Sequence, residues 1–181
     1  MRQSKKEIKD RDVIIRLLAD CHVGRLGTVG LDGYPMVKPL NFVYSEGRIY
    51  LHSAREGEKI DDIRRDNRVC FEADLPIALV KAAENPCGAE YLYRSVVIKG
   101  RAFIVEDEAE RLHGLKLLMD KYQPEGGFGP FLEEKLKLTS VIRIDIEDMT
   151  GKEDLGKDYI KEAAVKALEN KGALPTVISR K

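Results

Sequence analysis

Apolar and polar side chains alternate over much of the first half of the sequence, and this period of two predicts β-strands. In residues 34–44 the apolar positions fall largely on one parity, which we interpret as a single strand, and residues 48–53 alternate in the same way. Asp32-Gly33 and Glu46-Gly47 precede these two strands and are signals for tight hairpin turns, and the glycine-rich, β-prone residues 22–30 come before the first of these turns. The pattern therefore predicts successive antiparallel hairpins.

Helical spacing predicts two helices in the same half of the chain. One begins near Asp10, whose carboxylate can accept a hydrogen bond from the first helical turn. The other begins near Gly57 and turns Ile60 and Ile63 towards the core. Its outward-facing residues are expected to be Asp61, Asp62, Arg64 and Arg65.

Further strands are predicted in the second half of the chain, over residues 68–73, 91–105 and 141–147. Residues 75–90 contain two prolines and have no regular period, so we interpret them as an irregular connection with room for one helical turn. Cys70 lies within the first of these strands and is expected to be a core residue.

Three helices are predicted towards the C-terminus. One begins at Asp107, a shorter one covers residues 131–138, and an alanine-rich one covers residues 160–168 and stops at Gly172. The last nine residues are expected to be loose. The apolar stripe of the first of these helices consists of Leu112, Leu115, Leu118, Met119 and Tyr122.

Six or seven strands joined mostly by hairpins favour an antiparallel barrel over a doubly wound parallel sheet. The expected fold class is therefore mainly β (α+β), with helices flanking the barrel. We expect one main domain over residues 1–155 and a C-terminal helix and tail over residues 156–181.

Composition and charge exclude several classes of function. The chain has 31 basic and 31 acidic residues, so no net field favours nucleic acid or a membrane surface. No apolar run reaches the roughly 20 residues of a membrane helix. The N-terminal residues lack the apolar segment of a secretory signal, so we expect a cytoplasmic protein. Three cysteines and three histidines show no spacing typical of a metal site.

Two prolines mark the strand over residues 34–44 as a candidate ligand site. Pro35 and Pro39 share one parity and cannot donate to a β-ladder. One interpretation is an edge strand that is protected from aggregation. The other is that the amides of Lys38, Leu40 and Asn41 are free to hydrogen-bond a flat ligand.

A second candidate site lies where the strand over residues 48–53 runs into the next helix. Ser53 and Lys59 flank a helix start, where free backbone amides favour an anion such as a phosphate. Glu56 and Glu58 offer a simpler explanation, since either could neutralise Lys59. His52 is interpreted either as a hydrogen-bonded barrel histidine or as a residue that faces the ligand.

Three separated motifs resemble one known family. The run from Tyr34 to Lys59 includes YPMVKPLNFVY, GRIYLHSA and a following G-x-K, and N-x-R-V-x-F comes after it. The segments YRSVV with KGRA, from Tyr93, and IRI with MTGK, from Ile142, follow in order. Over about residues 10–155 the chain is similar to the FMN-binding split-barrel superfamily of pyridoxamine 5′-phosphate oxidase, and most similar to its nitroimidazole-resistance branch.

The resemblance implies a homodimer of six-stranded antiparallel split β-barrels with two flavin sites at the interface. The strand with the two prolines would lie along the isoalloxazine ring, Ser53 and Lys59 would hold the phosphate, and Arg94 and Ser95 would come from the partner subunit. The cofactor-binding set is then Val37, Lys38, Pro39, Leu40, Asn41, His52, Ser53, Ala54, Lys59, Arg94 and Ser95.

The function implied by the resemblance is an FMN-dependent oxidoreductase that reduces small acceptors such as nitroaromatics or quinones with electrons from NAD(P)H. His52 would be the catalytic residue that donates a proton or a hydrogen bond to the acceptor. Glu58 departs from the family, which often has a basic residue there, and Arg55 or Arg25 could compensate. The alternative is a non-catalytic protein that binds flavin or haem in the same barrel.

Overall fold

The computed structural model describes residues 4–170 and 174–179 of the chain. The described residues contain nine β-strands and five α-helices, with short 3₁₀ turns at Ser4–Lys6 and Pro86–Gly88. The strands are β1 (Glu7–Ile8), β2 (Gly24–Val29), β3 (Pro35–Leu40), β4 (Val43–Ser45), β5 (Arg48–Ala54), β6 (Arg68–Lys81), β7 (Glu90–Ile104), β8 (Thr139–Asp154) and β9 (Thr176–Ser179). The helices are α1 (Arg11–Asp20), α2 (Glu58–Arg65), α3 (Glu108–Tyr122), α4 (Glu133–Leu136) and α5 (Asp158–Glu169).

The mainly β, antiparallel α+β fold class is confirmed. The hydrogen-bonded strand order is β3-β2-β6-β7-β8-β5-β4, with β1 on β8 and β9 on β6. The described residues thus form nine strands where six or seven were expected, because β1 and β9 pair with distant parts of the chain and one predicted strand is divided into β3 and β4. Among the described residues, no helix is long and apolar enough to cross a membrane.

The described residues form two compact units. The larger comprises residues 18–73 and 97–149, and the smaller comprises the described parts of residues 1–17, 74–96 and 150–181. In the larger unit, β2 pairs with β3 and β6, and β5 pairs with β4 and β8, all antiparallel. The predicted division of the chain at residue 155 stays a prediction.

The core of the smaller unit contains α5 and parts of the long strands. Ile77, Val80, Leu92 and Ile160 are buried together, and Ile178 of β9 packs against them. Here β9 pairs in parallel with residues 78–81 of β6. This burial explains why β9 forms, since Ile178 gains apolar contacts that the sequence pattern alone did not reveal.

Two sequence predictions are therefore wrong in this region. The irregular connection expected over residues 75–90 is strand as far as Lys81, with Pro76 inside β6, although its expected helical turn is found at Pro86–Gly88. The tail was expected to be loose, but Thr176–Ser179 forms β9. Gly172, the expected end of the last helix, lies outside the described residues.

The single strand predicted over residues 34–44 is also wrong. It is divided into β3 and β4 by Asn41 and Phe42, and the two parts stand at opposite ends of the strand order. Alternation fails at this point because Phe42 and Val43 are both buried. The Phe42 ring packs edge-on against the Phe71 ring, with the centroids 4.9 Å apart.

Core packing explains a glycine of β2 that has no turn function. A Cβ atom at Gly24 would lie 2.0 Å from Cζ of Phe71, and Phe71 is fully buried. Gly24 therefore makes room for this ring. Cys70, the neighbour of Phe71, was expected in the core but is exposed, because the strand alternates and Val69 and Phe71 take the inward positions.

Asp62 of α2 contradicts the prediction that it faces outward. Its side chain is 2% exposed. Thr28 Oγ1 of β2 donates a hydrogen bond to its Oδ2 at 2.8 Å, and Arg65 donates to Oδ1 at 2.9 Å. Arg65 also donates to the carbonyl oxygen of Val29. The buried carboxylate thus fastens α2 to β2, and the two partners offset its desolvation.

Replacing Asp62 by Asn is expected to lower the free energy of unfolding by about 2 kcal/mol near neutral pH, because the charge-assisted bond to Arg65 is lost. Burial raises the pKa of Asp62, but the bonds from Arg65 and Thr28 outweigh burial, so the pKa in the folded protein lies below 3.8. Such a carboxylate stabilises the fold fully above its unfolded pKa, and this contribution disappears as the pH falls through the folded pKa.

Urea unfolding at a series of pH values tests this prediction. The difference in unfolding free energy between wild type and Asp62→Asn should be constant near neutral pH. It should become smaller as the pH falls below 3.8, the usual pKa of an aspartate. Asp61→Asn, on the exposed face of the same helix, is the matched control and should show little effect at any pH. A difference for Asp62→Asn that does not change with pH would contradict the role of the ionised carboxylate.

Candidate functional site

The sequence-derived site residues are distributed over several elements. Residues 37–41 lie on β3 and just beyond it, residues 52–54 lie at the end of β5, and Lys59 lies in the first turn of α2, all in the larger unit. Arg94 and Ser95 lie on β7 within the smaller unit. There the Nε atom of Arg94 donates to Glu153 at 2.9 Å.

The start of α2 has the features of an anion site. Its N-cap residue is Gly57, which has a φ of 117° and provides no side-chain cap. The amides of Ile60 and Asp61 donate to the carbonyl oxygen of Gly57 at 2.8 and 3.2 Å. The amides of Glu58 and Lys59 precede these and, as in the first turn of any helix, have no acceptor within the helix. An anion at this end would be favoured by both amides and the helix dipole.

Two lysines and one glutamate meet at this helix start. The ammonium of Lys38, on β3, donates to Oε2 of Glu58. Burial, and secondly the charge of Lys38, lower the pKa of Lys59 from its usual value. Glu58 is therefore paired with Lys38, and the three groups carry a net charge of +1. With Glu58 paired to Lys38, Lys59 is left as a cation whose charged form is disfavoured by its surroundings.

Ser53 and Lys59, the predicted phosphate-binding residues that we call the phosphate cradle, differ in exposure. Ser53 is 8% exposed and lies opposite Ser140 in the register of β5 and β8, while the exposed Ala54 lies opposite Thr139. Lys59 is partly buried. Thr139 and Ser140 therefore join the surroundings of the cradle, and the sequence pattern did not single them out.

The edge position expected for the strand with the two prolines is present, since β3 stands at the end of the strand order. Alternate residues of an antiparallel edge strand direct their N–H and C=O groups away from the neighbouring strand. Pro35 and Pro39, which lack an N–H, fit the outward parity, and Val37 shares it. We infer that the outward backbone groups belong to Val37 rather than to Lys38 and Leu40, which changes the donor set proposed from the sequence.

A cavity of about 390 Å³ brings Asn41 and His52 together. His52 is exposed on the outward parity of β5, between the buried residues Leu51 and Ser53. Most of the remaining wall is apolar and comes from α3 and from the segment around α4. The remaining lining residues are Leu115, Leu118, Met119, Tyr122, Phe131, Leu132, Lys135, Leu136 and Thr139.

The sequence pattern predicted part of this wall but not its place in a cavity. Leu115, Leu118, Met119 and Tyr122 belong to the stripe predicted for α3, which was interpreted as core. The segment over residues 131–138 was expected to be helical, but only Glu133–Leu136 is helix. The sequence signal for this part of the wall was the presence of apolar side chains on a short, polar segment. One of these side chains, Leu132, is 53% exposed in the structure.

Tyr122 holds the link between β3 and β4 in place beside this cavity. Its hydroxyl oxygen accepts a hydrogen bond from the amide of Phe42 at 2.9 Å and lies 2.7 Å from the carbonyl oxygen of His22. Burial raises the pKa of Tyr122, against the opposing effect of hydrogen bonds with Phe42 and Asn41. Asn41 and Tyr122 both line the cavity beside this link.

Lys121 supports the same link from the other side. Its Nζ atom donates to the carbonyl oxygens of Leu18 and Cys21 at 2.9 and 2.7 Å and lies 3.8 Å from the centre of the Phe42 ring. Burial lowers the pKa of Lys121 to about 8. These contacts fix Phe42, and with it the end of the strand that carries the candidate site.

The chain is similar to known proteins in both sequence and structure. A family model described as pyridoxamine 5′-phosphate oxidase matches residues 10–153. A solved structure of a candidate 5-nitroimidazole antibiotic resistance protein from Bacteroides thetaiotaomicron is 29% identical, with a TM-score of 0.71 over 81% of this chain and 85% of that chain. No curated protein matches the sequence.

Two further solved structures are similar in fold. The flavocytochrome Anf3 from Azotobacter vinelandii is 22% identical, with a TM-score of 0.76 over 90% of this chain and 77% of that chain. A FAD and haem binding protein from Mycobacterium smegmatis is 18% identical, with a TM-score of 0.74 over 93% of this chain and 81% of that chain.

Proposed function

Because the chain belongs to the pyridoxamine 5′-phosphate oxidase family, we propose that it is an FMN-dependent oxidoreductase that passes electrons from NAD(P)H to a small aromatic acceptor such as a nitroaromatic. The similarity to the Bacteroides thetaiotaomicron protein, a candidate for 5-nitroimidazole antibiotic resistance, supports this choice of acceptor. Flavin also appears in the names of similar structures, as a flavocytochrome and a FAD and haem binding protein.

The observation that carries the proposal is the start of α2, where the N-cap residue Gly57 provides no side-chain bond and Lys59 lies partly buried near the ion pair of Lys38 and Glu58. Lys38 and Lys59 repel each other enough to lower the pKa of Lys59, after the larger effect of burial. A phosphate at the uncapped helix start would relieve this repulsion and accept hydrogen bonds from the first-turn amides. Ser53 is the hydroxyl expected to complete this end of the site.

The residues of the edge strand fit a planar ring. Val37 is 61% exposed, and its outward backbone groups can bond the polar edge of the isoalloxazine, while Pro39, Leu40 and Asn41 extend the same surface. We further propose a homodimer in which Arg94 and Ser95 reach the flavin of the partner subunit. The exposed apolar side chains of Tyr34 and Val37, at 70% and 61% exposure, favour burial of this edge by a second copy.

The bound flavin would supply the transfer of reducing equivalents, which the side chains of the chain cannot perform themselves. In the first two-electron reduction, a nitro compound, NAD(P)H and a proton give a nitroso compound, NAD(P)⁺ and water. We assign His52 to donate a hydrogen bond or proton to the nitro oxygen as negative charge develops there. The apolar wall next to His52 would limit the access of water to the reacting group.

The proposal is tested by the visible spectrum of the purified protein during titration with FMN, followed by NADPH and then a nitroaromatic. We expect a flavin spectrum that NADPH bleaches and the nitroaromatic restores. With FMN saturating, His52→Ala should reoxidise about tenfold more slowly, as for the loss of one hydrogen bond. His113→Ala, which removes an exposed histidine outside this cavity, should match wild type.

The same titration would expose the alternative function. A sharp Soret band with haemin, without uptake of FMN, would overturn the proposal in favour of a haem-binding protein. Flavin binding without reoxidation by any nitroaromatic would support a flavin-binding protein that is not this reductase. Equal rates for His52→Ala and wild type would remove His52 from the mechanism.

A further inference from the structure

The cavity between α3 and the α4 segment differs in chemistry from the phosphate site. Of the described residues that line it, Lys135 is the one with a permanent charge, and none is a carboxylate. At about 390 Å³ it falls at the small end of the range of ligand pockets, which is roughly 300–1,000 Å³. It therefore suits a molecule of one or two rings better than a dinucleotide.

The apolar wall of this cavity includes one side chain that can adapt to the shape of a ligand. Met119 is a flexible, polarisable side chain that tolerates ligands of different shapes. Leu118 and Leu136 face the same space, and apolar contact with such side chains is not directional. The walls thus select for an aromatic or aliphatic body without specifying its outline.

Hydrogen bonds fix the backbone of the α4 segment, which carries Lys135. Thr139 Oγ1 donates to the carbonyl oxygen of Lys135 at 2.9 Å, which ties the end of α4 to the first residue of β8. The amide of Leu136 donates to the carbonyl oxygen of Leu132 at 3.0 Å. These bonds hold the backbone that carries Lys135 against the cavity that His52 and Asn41 also line.

We propose that this cavity binds the electron acceptor, and that Lys135 gives it a preference for small aromatic compounds with an anionic group. The aromatic body would pack against Leu118, Met119 and Leu136, and the anionic group would meet the ammonium of Lys135. This assignment deepens the proposed function and rests on it for the occupant's role as an acceptor. Binding to the cavity itself does not depend on flavin.

The experiment compares two probes of nearly equal size, para-nitrobenzoate and the neutral para-nitrobenzamide, by calorimetric titration of the protein with and without FMN. Wild type should bind the anion more tightly than the amide. Lys135→Met should weaken binding of the anion by about tenfold, which is the effect of one charge-assisted contact of about 1.4 kcal/mol. It should leave binding of the amide within about twofold.

Two further variants complete the experiment. Lys137→Met is the matched control, since Lys137 pairs with Glu133 and does not line the cavity, and it should bind both probes as wild type does. Met119→Trp fills the cavity from a partly buried position and should abolish binding of both probes while retaining the wild-type circular dichroism. If it does not fold, Leu136→Trp serves the same purpose.

The outcomes separate this inference from the proposed function. Binding of both probes in the expected order, together with failure to bind FMN, would leave the cavity assignment standing and overturn the oxidoreductase. Normal flavin binding and nitroreduction, with probe affinities unchanged by Lys135→Met and by a folded cavity-filling variant, would overturn the cavity assignment alone. Equal weakening of both probes by Lys135→Met would overturn the preference for anions.

Discussion

Replacing Lys59 by Met is expected to weaken FMN binding by about 10- to 100-fold, the effect of losing one charge-assisted bond of roughly 1.5–3 kcal/mol. Lys59 sits at a helix start whose N-cap residue provides no side-chain bond. Glu58 is already paired with Lys38, so it does not replace the phosphate as the partner of Lys59. In the variant, the net charge of the groups at positions 38, 58 and 59 would fall from +1 to zero.

The pH dependence of FMN affinity should separate the charge of Lys59 from its size. Burial, and then Lys38, lower the pKa of Lys59 below 10.5, and a bound dianion would raise it again. Binding therefore takes up a proton at alkaline pH, and the affinity falls as the pH rises above the lowered pKa. The Met variant lacks this part of the pH dependence.

Riboflavin provides the control, because it has the ring of FMN without the phosphate. Its affinity, measured by quenching of flavin fluorescence, should be the same for wild type and Lys59→Met. Lys116→Met, at an exposed position of α3, should leave FMN affinity unchanged. Equal FMN affinities for wild type and Lys59→Met, or a parallel loss of riboflavin affinity, would show that the phosphate is bound elsewhere.

Replacing Gly100 by Ala should cost about 3 kcal/mol or more of unfolding free energy, at or beyond the upper end of ordinary overpacking. An added Cβ would lie 2.3 Å from the carbonyl oxygen of Asp145 and 3.0 Å from Cγ2 of Ile144. The carbonyl belongs to the backbone of β8, and β8 is paired on its other side, where Asp145 lies opposite Arg48 of β5. This carbonyl oxygen cannot move away from the added Cβ without disturbing the pairing of β8 with β5.

Gly129→Ala is the matched control for this variant. A Cβ at Gly129 would have no heavy atom within 4 Å, so the same chemical change should alter stability by less than about 0.5 kcal/mol. Thermal and urea unfolding of both variants measure the difference. Recovery of folded Gly129→Ala but not of Gly100→Ala would agree with the prediction, whereas equal stability would contradict the close approach of β7 and β8.

Several features of this protein were determined by local sequence. Asp32-Gly33 and Glu46-Gly47 form turns between antiparallel strands, as their residue types require, since Gly33 and Gly47 have φ values of 83° and 81°. Asp107 caps α3 through a 2.8 Å bond from the amide of Glu110. These features depend on neighbouring residues. The motifs over about residues 10–155 indicated the family for the same reason, and the family model matches residues 10–153.

Other features were decided by contacts between distant parts of the chain. Strand β9 forms against β6, which lies about a hundred residues earlier, and Asp62 is buried because Thr28 and Arg65 satisfy its carboxylate. The break between β3 and β4 depends on Phe42 packing against Phe71. Alternation and helical spacing contain no information about such partners.

The candidate site combines both kinds of information. The sequence by itself pointed to Lys59 at a helix start and to His52 at a strand end, because those positions follow from local periodicity. Only the tertiary structure paired Glu58 with Lys38 and brought His52 and Asn41 together in a cavity lined by residues of α3 and of the segment around α4. The physical reason is that charge pairing and cavity shape depend on side chains that meet only after the chain has folded.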